Sequence, residues 1–507
     1  MDLETLLSYN WGVMMPEFII LGVATLLCII DLFMPSNASR RPLGWVAISG
    51  VLLAIFALIG LIPIETTSIL YDTFRLDSFA KAFKFILLVG AGLVLLLAES
   101  YKPAEGMKET RGEFYYLFMA ALLGAMVMTS SGDLITMFVG LELLSISSYI
   151  LAGIRRDHLQ SNESAMKYVI NGGISTAITL FGMSYLYGLT GTTNMKEMGL
   201  IMSQTLENQY LYLYGIAFFM VLVGLSFKIA AAPFHMWAPD VYQGAPTPVT
   251  AFLSTLSKTA GFIIILRLII YLYMNMSGDE IGALGFIEKN RIFISCLAGI
   301  TMIVGNVIAI KQKNMKRLLA YSSIAHAGYL LVAVATFGYF TPSTVWFYLV
   351  AYLFMSLGAF AVIQYISDRT GSDEIAVFAG LYKRAPILAI TMGIFILSMA
   401  GIPGTAGFVA KLNIFMGTFA VDPSHYVLAS ILVGTTVISY FYYFGIMVQI
   451  FFRPIENQSE MAKIKLPVSI WIVLIVCVIG TIGLGIAPNT ALDFLYGNFG
   501  DFEDFLQ

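Results

Sequence analysis

The chain has 507 residues, of which 58% are hydrophobic and 12% charged, with a formal net charge of −3. Soluble domains carry about 25% charged residues, so this composition excludes an ordinary soluble enzyme, and the lack of a basic patch argues against a nucleic-acid partner. Apolar runs of about 20 residues indicate an all-α polytopic membrane protein embedded in the lipid bilayer, not a β-barrel.

Read in chain order, the apolar segments predict fourteen helices, numbered 1 to 14, at 13–34, 43–62, 79–99, 113–130, 133–153, 164–189, 210–232, 247–274, 291–310, 318–337, 344–367, 386–415, 427–452 and 467–487. The opening MDLETLLSYNW is acidic and unlike a signal-peptide leader, so helix 1 is expected to be retained. Loops after odd-numbered helices hold seventeen cations: Arg40, Arg41, Lys102, Lys108, Arg111, Arg155, Arg156, Lys311, Lys313, Lys316, Arg317, Arg369, Lys383, Arg384, Arg453, Lys463 and Lys465. The other side offers Arg75, Lys81, Lys84, Lys196, Lys289 and Arg291. The positive-inside rule then places both termini on the non-cytoplasmic side, with an acidic tail at Asp501, Glu503 and Asp504.

Charged residues inside these segments carry the functional reading. Glu142 sits in helix 5 (MFVGLELLSISSY), Lys228 in helix 7 (LVGLSFKIAAAPF), Lys258 in helix 8 (AFLSTLSKTAGFIIIL) and Lys411 in helix 12 (GTAGFVAKLNIF). A charge at mid-bilayer costs about 2.5–3.5 kcal/mol, so four cost roughly 10–14 kcal/mol, and such groups normally face a protein interior or a water path. All four exchange protons readily, which points to protons or small ions as cargo. A carboxylate opposite a lysine favours both charged forms, so a Glu142–Lys228 pair can switch a proton site; a static ion pair that fixes packing is the bland alternative. For Lys258 the alternative is a structural lysine bonded to carbonyls, and for Lys228 it is snorkelling to the interface.

Helix 7 runs apolar to Lys228 and then meets Pro233, Pro239, Gly244, Pro246 and Pro248; helix 12 breaks at GIPGTAG. Proline removes a backbone donor, and the freed carbonyls can hold water or a cation. His235 follows the helix 7 break and reads equally as a proton relay or a satisfied structural histidine. Lys167, in ESAMKYVINGG, reads equally as a relay group or a solvated helix end. Arg267 does not release its proton and reads as an anchor, and His326 reads as ordinary packing. Cys28, Cys296 and Cys477 are far apart without a CxxC, no nucleotide-binding glycine pattern follows a strand, and the chain is expected to hold no cofactor and no metal.

LLSISSYILAG (143–153) and LLAYSSIAHAG (318–328) share six of eleven residues, in helices 5 and 10. The broken helices 7 and 12 are again five helices apart. An odd offset reverses orientation, so the repeat is expected to be inverted.

On these residues the chain resembles the antiporter-like membrane subunits of respiratory complex I, specifically the N type. FKIAAAPFHMWAPDVYQGAPTPVTAFLSTLSK (227–258) is the most specific stretch, and GLELLSISSYILAG (140–153), MKRLLAYSSIAHAGYLL (315–331) and MAGIPGTAGFVAKLNIF (399–415) agree. The resemblance implies a three-helix segment at 1–112, two inverted five-helix units (helices 4–8 at 113–274, helices 9–13 at 291–452) and a last helix with a short acidic tail at 453–507. It implies a proton path through Glu142, Lys167, Lys228, Lys258 and Lys411. It implies partners among the other antiporter-like and small membrane subunits of a bacterial cell-membrane complex. NADH or another donor, FMN, iron–sulfur clusters and quinone would be used in those other subunits. The rivals are a subunit of a multi-subunit sodium/proton antiporter and a scaffold with structural buried charges.

Overall fold

A computed structural model of the chain describes residues 3–35, 38–102, 110–205, 208–274, 283–338, 340–421, 424–454 and 466–506. Among these, thirteen helices are long and apolar enough to cross a membrane. Helices 1 to 6 run Trp11–Phe33, Arg41–Leu61, Ser78–Ser100, Arg111–Thr129, Leu134–Ala152 and Leu159–Thr190. Helix 7 spans Tyr210–Lys228 and helix 8 Thr247–Tyr273; helices 9, 10, 11, 13 and 14 run Asn290–Ala309, Met315–Ala335, Thr341–Thr370, Tyr426–Phe451 and Val468–Ile486. Helix 12 is divided between Pro386–Ala400 and Ala406–Ala420. The protein is thus a polytopic all-α membrane protein; thirteen of the fourteen predicted segments hold one helix long enough to cross, and the twelfth holds two shorter apolar helices.

The helices begin where the sequence supplies a side-chain acceptor or a proline. Asp133 accepts from the Ile135 and Thr136 amides at 2.7 and 3.1 Å, Asp77 from Ala80 at 2.6 Å, and Asn314 from Arg317 at 3.0 Å. Pro16, Pro42, Pro342 and Pro386 occupy first turns, where a missing amide costs nothing. Helices 8 and 10 form the centre: their apolar stretches are wholly buried, whereas those of helices 1, 13 and 14 are about one-third buried and turn the rest towards lipid.

Four features differ from expectation. Helix 8 is interrupted at Thr255, which separates Thr247–Ser254 from Leu256–Leu268, and it closes in a π-helical turn at Ile269–Met274. No proline or glycine marks the site, so the sequence offers no break there, and the Thr255 amide and carbonyl still bond Ala251 and Thr259 of the same segment. Helix 12 continues past 415 to Ala420 after its interruption. Lys84 is not a loop cation: it is fully buried within helix 3, where it pairs with Glu17 at 2.5 Å. The acidic tail folds back as Asn489–Phe499 and Glu503–Leu506, with Asp504 accepting from the Ser78 amide at 2.8 Å and the Phe505 ring stacked on Phe79 at 4.2 Å. Of the loop cations, Lys108, Lys463, Lys465 and the Lys289 side chain lie outside the described residues.

One local arrangement occurs twice. Helix 6 closes on Gly191 at φ +74°, and the next residues return to the start of helix 5: the Leu134 amide donates to the Thr193 carbonyl, and Asp133 bridges Asn194. Helix 11 closes on Gly371 at φ +70°, the Met315 amide donates to the Asp373 carbonyl, and Asn314 bridges Glu374. Only glycine takes that left-handed turn without strain. This register sets Asp133 against Asn314. The match of 143–153 with 318–328 is six residues out of step with it.

Candidate functional site

Lys228 is the last residue of helix 7 before the chain unwinds over Ile229–Met236, and Trp237–Gly244 then resumes the helix. The lysine is only 6% exposed, and its Nζ donates to Ser145 Oγ of helix 5 at 3.1 Å. Glu142, three residues before Ser145, accepts from Thr176 Oγ1 of helix 6 at 2.8 Å. None of the ion pairs among the described residues joins Glu142 to Lys228 directly. Lys228, Ser145, Tyr149, Gly172 and Thr176 line a cavity of about 10 Å³, the space of roughly one water, and Thr176 links that cavity to Glu142. A side chain on Gly172 would fill it: a Cβ there would lie 2.0 Å from the Tyr149 hydroxyl.

Lys258 lies three residues past the Thr255 interruption. Its Nζ donates to the Ser323 carbonyl and to Ser323 Oγ of helix 10, and sits 5.9 Å from the Tyr352 ring centre. The stem of Lys228 packs against helix 8 at Gly261, where a Cβ would meet Lys228 Cγ at 3.5 Å. Gly261 is one turn from Lys258, so the two lysines approach the same part of helix 8.

From Ser323 a polar stripe continues along buried helix 10 at helical spacing. Ser322 Oγ lies 2.5 Å from the Tyr443 hydroxyl, which is 3.4 Å from His326 Nε2. His326 Nδ1 lies 2.7 Å from the Tyr348 hydroxyl. One turn further, the Tyr329 ring stands 4.8 Å from Lys411 Nζ, and Asn306 Nδ2 donates to the Tyr329 hydroxyl at 3.1 Å. His326 is therefore not ordinary packing: both ring nitrogens face tyrosine hydroxyls. Unpartnered buried hydroxyls and imidazoles are costly, so a stripe of them on a wholly buried helix must be matched by partners from helices 11 and 13. The recurrence of Ser322, Ser323, His326 and Tyr329 on one face was visible in the sequence as the signal for this path.

Lys411 belongs to the second half of helix 12 and reaches back across the break. Its Nζ donates to the carbonyls of Met399 at 2.8 Å and Ala400 at 3.2 Å, the end of the first half. Gly401 and Gly404, at φ +85° and +87°, let the chain leave the helix at that point. An ammonium at a helix C-terminus meets the negative end of the helix dipole, so the break itself supplies the counter-charge.

Lys167 and His235 lie apart from this row. Lys167, 41% exposed, donates to Glu163 and Asp240, each at 2.6 Å. Arg317 holds the other Asp240 oxygen at 2.5 Å. The same short helix ends in carbonyls taken by Arg155 (Gly244, 2.8 Å) and Lys316 (Gln243, 3.3 Å; Ala245, 3.1 Å). Burial opposes the Asp240 charge, but the hydrogen bonds and charges of Lys167 and Arg317 outweigh it and hold this carboxyl below its usual range. Asp240 stands in the distinctive stretch of the sequence, yet its position between Lys167 and Arg317, from two other helices, is not local information. His235 is buried with Nδ1 unpartnered among the described residues, 6.5 Å from the Tyr321 ring centre. Arg267 is an anchor, bound to both oxygens of fully buried Asp77 at 3.0 Å.

Among the described residues, no cluster of three or more His, Cys, Asp or Glu side chains could hold a metal ion. A broken-helix bundle crossed by a row of buried lysines defines a class of ion-translocating membrane proteins. Residues 131–439, more than half of the chain, match the family described as NADH:quinone oxidoreductase/Mrp antiporter, TM, and the chain belongs to that family. It is 60% identical, over 98% of its length and all of the relative's, to NADH-quinone oxidoreductase subunit N of Geobacillus sp. strain WCH70. A chain of respiratory complex I from Thermus thermophilus, solved with bound aureothin, is similar at 29% identity and a TM-score of 0.77, with 95% of this chain and 99% of that one covered. A chain of the Mrp complex from Dietzia sp. DQ12-45-1b shares the fold at a TM-score of 0.80 and 19% identity, each chain fully covered.

Proposed function

We propose that this chain is the proton-translocating N-type membrane subunit of an NADH-quinone oxidoreductase. Electron transfer from NADH through FMN and iron–sulfur clusters to quinone would take place in other subunits, among which this chain sits in a bacterial cell membrane. The observation that carries the reading is the row Lys228, Lys258 and Lys411, each at most 6% exposed, in a chain with 60% identity to a subunit N. In the proposed cycle the Glu142 charge governs whether Lys228 holds its proton. Protons pass from Lys228 to Lys258, along Ser323, Ser322, Tyr443 and His326, to Lys411, and leave on the far side. Lysine suits this because out of water it surrenders a proton, as arginine does not. Lys167 with Asp240, and His235 beside the helix 7 break, would serve proton uptake.

The recurring arrangement at Asp133–Asn194 and Asn314–Glu374 supports reading helices 4–8 and 9–13 as inverted units. The loop cations support placing both termini outside the cytoplasm. Cysteines introduced at Ser39 and Asn498 should then be labelled from opposite sides, and labelling from one side contradicts the topology.

The test of function is Lys258→Met in the whole complex, reconstituted with NADH and quinone. Assembly should be unchanged while proton pumping and turnover both collapse. Undiminished pumping would leave a scaffold with structural charges as the better account. Sodium-driven proton movement without an electron donor would favour the antiporter reading, which shares the fold.

A further inference from the structure

Helices 9 and 13 enclose a groove of about 750 Å³ on the bilayer side of the molecule, away from the lysine row. Its wall runs along helix 9 from Arg291 to Ile303, twelve residues or about 18 Å, close to the ~15 Å depth of one leaflet. The lower part is apolar, with Ile300 and Ile303 half exposed. The upper end is cationic. Arg291 is 6% exposed, its Nε has no hydrogen-bond partner, and it makes no ion pair among the described residues. Beside it, His425 Nε2 is also buried without a partner. Arg291 and His425 line the same groove, and burial, then the Arg291 charge, pushes the His425 imidazole below its usual range. Ser424 and the first turn of 26-residue helix 13 complete this end, so the positive end of a helix dipole points at the same spot. No acidic side chain is among the lining residues.

Among the described residues Arg291 has no anionic partner, and the apolar trough beside it has the length of an acyl chain. We propose that this groove binds an anionic phospholipid, with its phosphate on Arg291, His425 and the start of helix 13, and one acyl chain against Ile300 and Ile303. The site lies outside the proton row and does not depend on it.

The test places a photoreactive benzophenone side chain at Ile300 in the intact complex, reconstituted in vesicles of equal phosphatidylglycerol and phosphatidylcholine. Lipid adducts on that peptide are then counted by mass spectrometry. Phosphatidylglycerol adducts should outnumber phosphatidylcholine adducts about fivefold, the factor that ~1 kcal/mol per surface cation carries. The same probe at Phe441, an exposed residue of helix 13 outside the groove lining, should give a ratio near one. Arg291→Gln should lower the Ile300 ratio to the Phe441 value, and Arg291→Lys should keep most of it. Equal adducts at both probe sites, a preference that survives Arg291→Gln, or crosslinks from Ile300 to a neighbouring subunit in place of lipid would each overturn the proposal. If Arg291→Gln does not assemble, the Ile300 to Phe441 comparison in the parent complex decides alone.

Discussion

Lys228 and Lys411 are both buried lysines beside a broken helix, yet they are stabilised differently. Lys228 ends the first half of helix 7 and bonds one serine, while Thr176, which shares a small cavity with it, bonds the Glu142 carboxylate. Lys411 starts beyond the break in helix 12 and is held by two helix-end carbonyls and an aromatic face. The register of the helix starts makes the contrast sharper. Glu142 lies nine residues after its capping Asp133, and nine residues after capping Asn314 stands Ser323, which binds Lys258. One half has an ionisable group where the other has a hydroxyl. In the proposed cycle the charge of Lys228 thus answers to a neighbouring carboxylate. Lys411 sits among fixed dipoles, which favour its charge without being able to withdraw that support.

The largest effect expected from this contrast is at the fixed end. Lys411→Ala should leave the complex assembled but reduce NADH:quinone turnover and pumping together by about a hundredfold, equal to roughly 2.7 kcal/mol on the limiting step. Loss of pumping with normal turnover would mean that Lys411 is not on the coupled path. Glu142→Gln comes next: it keeps the Thr176 hydrogen bond in shape but removes the charge, and coupled activity should fall about tenfold. Glu142→Asp, which keeps a charge, should recover part of that. Equal activity of the Gln variant and the parent would erase the distinction between the two halves.

Ser323→Ala should cost less, about threefold in turnover, because Lys258 keeps the Ser323 carbonyl when the hydroxyl goes. A collapse as deep as that of Lys258→Met would mean that the hydroxyl itself carries the proton. The smallest effect concerns Asp240, which sits outside the row. Its carboxyl is held below the usual range, so the stability it lends is present above that range and is lost only as pH falls through the lowered value. Thermal stability of Asp240→Asn relative to the parent should therefore differ by a constant amount from about pH 5 to pH 8. A difference that changes within that window would show that Asp240 itself exchanges protons there and is not a fixed charge beside Lys167.

Much of this was legible in sequence because a membrane simplifies the code. Apolar runs of about 20 residues have little choice but to form helices, and Asp77, Asp133 and Asn314 mark where three of them begin. The buried lysines stood out because their segments are otherwise almost free of charge, Arg267 of helix 8 being the exception. What was not legible depends on neighbours far along the chain. Thr255 interrupts helix 8 without proline or glycine, since the segments packed around it define the break. Lys84 resembled a loop cation until Glu17, in another helix, supplied its partner. His326 resembled packing because its tyrosine partners come from helices 11 and 13. The short match between helices 5 and 10 lies six residues out of step with the Asp133 and Asn314 bridges, because six identities in apolar sequence constrain position weakly.

The central claim is that these lysines pass protons and do not merely hold charge. Lys411→Arg tests it most directly, because arginine keeps the charge, the helix-end hydrogen bonds and most of the volume but does not release its proton at accessible pH. The complex carrying it should be reconstituted into vesicles, and proton uptake measured per NADH oxidised alongside the rate of oxidation. The account predicts an assembled complex with pumping and turnover as depressed as in Lys411→Ala. Pumping at the parent rate with arginine in place would contradict it, and would make Lys411 a fixed charge at the end of a broken helix.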